Sequence, residues 1–184
     1  MLPFNRIDFL VSSDIDIVPA IKALSITKVG IPYDGKLVEG AIYRLRVAPS
    51  KAVSYPYLVV SDNLAKPSDI LTLDDLNSFR KQAKMKLKKG TGIEVTVNPV
   101  RKMDSNSIAK WFADLRELYR FCHSSRCQLI ISSGASSKYE MVSGPCFDAI
   151  FKIVGIEPQS YWSSIEIWLQ DKLIRNGYYV KQET

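Results

Sequence analysis

Residues 129–150, "LIISSGASSKYEMVSGPCFDAI", decide how this chain is read. An apolar, β-branched run stops at Ser-Ser-Gly-Ala, a polar loop with Lys138 and Glu140 follows, and Gly144-Pro145 opens a segment of helical period. The run 127–133, "CQLIISS", is nearly continuous in apolar character, as a strand buried on both faces should be. The unit is therefore strand, loop, helix, the building block of a parallel α/β protein. A loop in that place often grips phosphate or carries a catalytic group, so its chemistry matters as much as its geometry.

Working outward, the same alternation recurs. Residues 6–11 ("RIDFLV") read as a first strand and 16–24 as a short helix that Asp14 or Asp16 can cap. Strands are expected at 27–31, 41–48, 57–62, 69–73 and 92–99. In 41–48 the apolar residues Ile42, Leu45 and Val47 do not alternate cleanly, so the faces of that strand stay open. Helical sequence runs from 74 to 89, where Gly90 stops it. The clearest helix is 105–123: Ile108, Trp111, Phe112, Leu115, Leu118 and Tyr119 recur at the 3.6 period, with Ser105 or Ser107 as a cap. Helices at 145–154 and 158–175 complete the pattern, and Asn176-Gly177 ends it.

About seven short strands in a chain of 184 residues predict a reduced α/β barrel of the TIM type, with several crossovers trimmed, because that fold ordinarily needs ~250 residues. A doubly wound open sheet is the competing architecture, but no G-x-G-x-x-G follows any strand. Residues 1–184 are read as one domain, with 158–184 a helix and tail packed on it. No apolar run reaches the ~18 residues that span a bilayer, and the start lacks the pattern of a signal peptide, so a cytoplasmic protein is expected. Three cysteines, Cys122, Cys127 and Cys146, make no even disulfide framework.

The chemistry-bearing residues are few. With one histidine, His123, a site of several histidines cannot be built, and "FCHSSRCQ" is not spaced as a zinc finger or knuckle. Asp62, Asp69 and Glu94 stand at strand ends where a metal could be held, but caps and ion pairs are the plainer reading of them. No nucleophile–base pair is legible, and "GASSK" lacks the rest of a phosphate loop. No catalytic and no metal-ligating residue is assigned.

Charge is more informative. The net charge is +6, and "RKQAKMKLKKG" holds Arg80, Lys81, Lys84, Lys86, Lys88 and Lys89 without one acid. Salt bridges at i,i+4 cannot be the purpose of such a run. A phosphate backbone would relieve its repulsion, so these residues, with Arg101, Lys102 and Lys138, are the candidate RNA contacts. Trp162 and Trp168 make the last helix strongly apolar. Packing over the barrel is the plainer reading; docking of a partner through Trp168, Tyr178 or Tyr179 is the sharper one.

Taken in order, several segments resemble the archaeal RNase P protein component 3 family, relatives of the eukaryotic 30-kDa subunit of RNase P and RNase MRP. The carrying stretches are "RIDFLV", "ITKVGIPY", "IYRLRVAP", "YPYLVVSDN", "KGTGIEVTVNPV" and, most specific, "LIISSGASSKYEMVSGPCFDAIFKIVGI". Two departures stand out: Val142-Ser143-Gly144-Pro145 replaces the family's Arg before the Pro-initiated helix, and the interval Pro49 to Pro56 is shorter than the family's connection. The resemblance implies a TIM-barrel-like fold and a noncatalytic subunit of an endoribonuclease. The RNase P RNA removes the 5′ leader of precursor tRNA with Mg²⁺, while the protein binds that RNA and a small RRM-like protein subunit. No cofactor is then expected on the protein itself. A metal-dependent phosphoesterase barrel and a pure protein-interaction scaffold are the alternatives.

Overall fold

The computed structural model describes residues 5–12, 16–73 and 87–178. Seven parallel strands form one sheet whose spatial order is their chain order: β1 (Ile7–Asp8), β2 (Lys28–Pro32), β3 (Ala41–Leu45), β4 (Tyr57–Ser61), β5 (Ile70–Thr72), β6 (Gly92–Thr96) and β7 (Gln128–Ser132). The outer helices among the described residues are α1 (Ile17–Leu24), α2 (Ser105–Ser125), α3 (Gly144–Val154) and α4 (Pro158–Arg175). None is long and apolar enough to cross a membrane. The expected helix over 74–89 lies almost wholly outside the described residues.

The sheet curls into a nearly closed barrel, and the Ser-Ser-Gly-Ala turn makes the closing seam. Beyond β7, Ser133 N–H donates to Asp8 Oδ1 (2.9 Å), Gly134 N–H to Leu10 O (3.1 Å) and Ser12 N–H to Ala135 O (2.9 Å); Val11 and Ala135 form a parallel bridge. Gly134 has φ +68°, and a Cβ there would sit 3.0 Å from the Thr96 side chain, so the turn needs glycine twice over.

Register separates the two faces of the sheet. Arg44 pairs with Leu58, Val60 with Ile70, Thr72 with Glu94, and Glu94 with Ile130, which places these residues on one face. Arg44 and Glu94 touch although β3 and β6 are not neighbours, so that face is the interior. The irregular alternation of 41–48 is thereby explained: Ile42 and Arg44 point inward, Ala41 and Tyr43 outward, and the inward series contains a cation.

Trp168 stops the other end of the barrel. Its ring stands edge-on to Phe9 at 6.1 Å, its indole N–H donates to Gly90 O (2.8 Å), and its side chain is buried. A Cβ on Gly92 would lie 2.5 Å from Ile130 Cδ1 and 2.8 Å from Trp168 Cζ2, so Gly92 makes room for the indole. Trp168 is therefore no docking anchor. Helical period alone does not say which face of α4 meets the barrel, and the outward apolar residues of that helix are Ile167 and Ile174.

Trimming falls on three consecutive connections. Residues 33–40, 46–56 and 62–69 join β2 to β3, β3 to β4 and β4 to β5 without a helix. Two helix starts differ from expectation: Asp16 stands at the N-cap of α1 without a side-chain cap bond, Asp14 lying outside the described residues, and Asp104, not Ser105 or Ser107, caps α2 by accepting from Ser107 N–H (2.8 Å). Ser143 caps α3 in the same way.

Two substitutions test the packed floor. Trp168→Ala should cost ~3–5 kcal/mol, as large-to-small core changes do. Gly92→Ala should cost ~1–3 kcal/mol by overpacking. Urea unfolding of each variant reads both, and a neutral Gly92→Ala would show that the indole is not fixed there.

Candidate functional site

In a barrel of this kind functional groups collect at the C-terminal ends of the strands. Here that mouth opens into a cleft of about 560 Å³ whose lining includes Tyr33, Arg44, Arg46, Thr72, Glu94 and Thr96. At its base Arg44 grips Glu94 in a two-pronged pair: Nη1 to Oε1 at 2.8 Å and Nη2 to Oε2 at 2.6 Å. Arg44 Nη1 also donates to Phe9 O (2.6 Å), and Ser132 Oγ donates to Glu94 Oε1 (2.6 Å). The side chains are 7% and 1% exposed, so this is a desolvated, charge-assisted network.

The arrangement decides what Glu94 can do. Both of its oxygens are engaged by fixed donors, and its charge is balanced by Arg44. A metal would have to displace that guanidinium to reach it. Among the described residues no group of three or more His, Cys, Asp or Glu side chains could hold a metal ion. The other strand-end carboxylates are ion-pair partners too: Asp62 with Arg46 (3.7 Å) and Asp69 with Lys172 (3.6 Å).

Beside the mouth, the seam carries a second buried acid. Asp8 is on the outer face of β1; Oδ1 accepts from Ser133 N–H, and Oδ2 has no hydrogen-bond partner. Burial raises its pKa to about 6 against the hydrogen bonds from Ser133 that favour the ionised form.

The loop 136–141 is organised from within. Glu140 accepts from Ser136 N–H (2.8 Å) and Asn98 Nδ2 (3.2 Å), and these bonds hold its pKa below the usual carboxylate range. Arg101 donates to the carbonyls of Tyr139 (3.1 Å) and Glu140 (2.9 Å). Lys138 stays exposed, 5.2 Å from the centre of the Tyr139 ring.

The candidate RNA contacts among the described residues thus do not form one patch. Arg101, Lys102 and Lys138 lie at the rim beyond the C-terminal end of β6, with Arg101 occupied in fastening the loop. Lys88 and Lys89 are exposed before the N-terminal end of β6. Arg80, Lys81, Lys84 and Lys86 lie outside the described residues, as does Tyr179; Tyr178 is half-buried against the core. Cys122 is buried in that core, where desolvation raises its thiol pKa, while His123 is exposed. Sequence reasoning did not single out Arg44 or Ser132; the available signal was the broken alternation around Arg44.

No protein-family model matches the chain, and no curated protein is significantly similar to it.

Two measurements follow from the buried groups. Arg44→Met leaves Glu94 unbalanced in the interior and should cost ~3–5 kcal/mol; adding Glu94→Gln should restore much of that loss in a double-mutant cycle followed by urea unfolding. For Asp8 the folded state holds a proton that the unfolded state has released between about pH 4 and 6. Stability therefore falls as pH rises through that window, by on the order of 3 kcal/mol, and is flat above it. Asp8→Asn should flatten the wild-type slope between pH 4 and 6.

Proposed function

We propose that this chain is a protein subunit of ribonuclease P, which binds the catalytic RNA and a small companion protein and supports removal of the 5′ leader of precursor tRNA. The observation that carries this reading is the saturated mouth. Where a barrel enzyme projects reactive groups, Glu94 is held by Arg44 and Ser132. Exposed cations stand around it and beyond it, Lys102 and Lys138 at the rim and Lys88 and Lys89 at the far end. Such side chains neutralise phosphate and lower the salt a folded RNA requires, without reading its sequence. The resemblance in segment order, from "RIDFLV" to the Ser-Ser-Gly-Ala turn, supports the same reading. The Mg²⁺ that the reaction needs would belong to the RNA.

A second reading, a metal-dependent phosphoesterase, draws on the open cleft of about 560 Å³ at the mouth. One experiment separates the two. The purified chain alone should release no product from precursor tRNA, and adding it to RNase P RNA with the companion protein should raise leader cleavage at low Mg²⁺. Metal-dependent hydrolysis of a phosphodiester by the isolated chain, abolished by Glu94→Gln, would favour the enzyme instead.

A further inference from the structure

A groove of about 450 Å³ lies on the side of the barrel where the connections from β3 to β5 carry no helix. Its floor includes Val59, whose partner in the register is Leu45, so this side chain faces outward between β3 and β4. Four separate chain segments bring cations to it. Arg46 comes from the β3–β4 connection and Lys66 from the β4–β5 connection. Lys88 and Lys89 come from the entry to β6, and Lys172 and Arg175 from the end of α4.

Among the described residues one carboxylate lines the groove, and it is already committed. Asp69 accepts from Val59 N–H (2.9 Å) and Asn176 Nδ2 (2.9 Å) and pairs with Lys172. Arg46 and Arg175 have partners just outside, Asp62 and Asp171 (3.1 Å). Lys172 and Arg175 also complement the carboxyl end of α4, which gives them a structural purpose. Lys66, Lys88 and Lys89 have none of these roles: all three are exposed, and among the described residues no carboxylate pairs with them. Three like charges converging on one cleft repel each other unless an anion occupies it.

The shape and chemistry narrow the anion. Lysines supply flexible point charges rather than the rigid fork that selects a single carboxylate. Among the described residues no aromatic ring lines the groove, so they offer a base nothing to stack on. We infer that this groove is a track for the phosphodiester backbone of RNA, distinct from the rim at Lys102 and Lys138 and indifferent to sequence. The inference rests on the RNA-binding reading above.

The test uses the full chain and a fluorescein-labelled single-stranded RNA of mixed sequence, with affinity measured across a salt series. Each phosphate contact to a single strand contributes ~0.7 to the slope of log affinity against log salt, so Lys66→Ala/Lys88→Ala/Lys89→Ala should make the slope shallower by about two. A charge-matched control, Lys22→Ala/Lys110→Ala/Lys152→Ala, changes exposed lysines on α1, α2 and α3 and should leave the slope near that of the wild type. Acylation of lysines by an N-hydroxysuccinimide ester, read by mass spectrometry, should show Lys66, Lys88 and Lys89 protected by the RNA. Wild-type protein that binds RNA while the groove and control variants behave alike, without protection of those lysines, would overturn the groove. Wild-type protein with no salt-dependent RNA binding at all would overturn the RNA reading and the groove together.

Discussion

The hydrogen bond from Ser133 N–H to the buried carboxylate of Asp8 stands at the seam, where the first strand is too short to continue the regular ladder to the last and a few backbone bonds further along complete the closure. A parallel sheet of short strands cannot leave its end strands open without exposing a row of unpaired amides and carbonyls. β1 contributes two residues to the regular ladder, so the remaining distance is bridged by a side chain, a left-handed glycine and one isolated pairing. The burial of Asp8 follows from this geometry. Its outer oxygen is enclosed by the seam it fastens, and the raised pKa is the electrostatic trace of that enclosure.

Inside the closed sheet the polar groups are layered. The floor is aromatic and aliphatic, with Trp168, Phe9 and Ile130 filling the space that Gly92 leaves. The upper layer is the Arg44–Glu94–Ser132 network. A buried pair of this kind adds little net stability compared with apolar residues of equal volume, but it tolerates no loss of one partner. Its carboxylate is therefore spent on holding the barrel together across two non-adjacent strands. The exposed lysines on the outside of the barrel take no part in that core.

Most of the architecture was legible in the sequence because it depends on local signals. The strands from 27–31 to 127–133 and the helices from 105 and 158 follow from periodicity, turn residues and caps, and the chain length alone called for missing crossovers. What escaped depends on contacts between distant segments. The broken alternation in 41–48 marked an odd residue but not its partner, since Glu94 lies fifty residues away across the lumen. Trp168 offered the same hydrophobic pattern whichever face of α4 turned inward. The basic groove assembles from four segments, of which only Lys88 and Lys89 belonged to a visible charge run.

The helix-free connections bear on how the molecule holds together. The larger apolar cluster joins the barrel interior to α2, α3 and α4, whereas Val29, Ile31, Tyr43 and Tyr57 belong to a smaller cluster on the outer side of β2–β4. Regions with fewer apolar contacts are the first to open in local unfolding. The apolar core is thus divided unequally, and only the outward faces of the strands beside the groove belong to the smaller cluster, while Ile42, Leu58 and Val60 join the larger one. A ligand lying across that groove would tie β3, β4 and the entry to β6 to the end of α4, supplying from outside the brace that the absent helices do not provide.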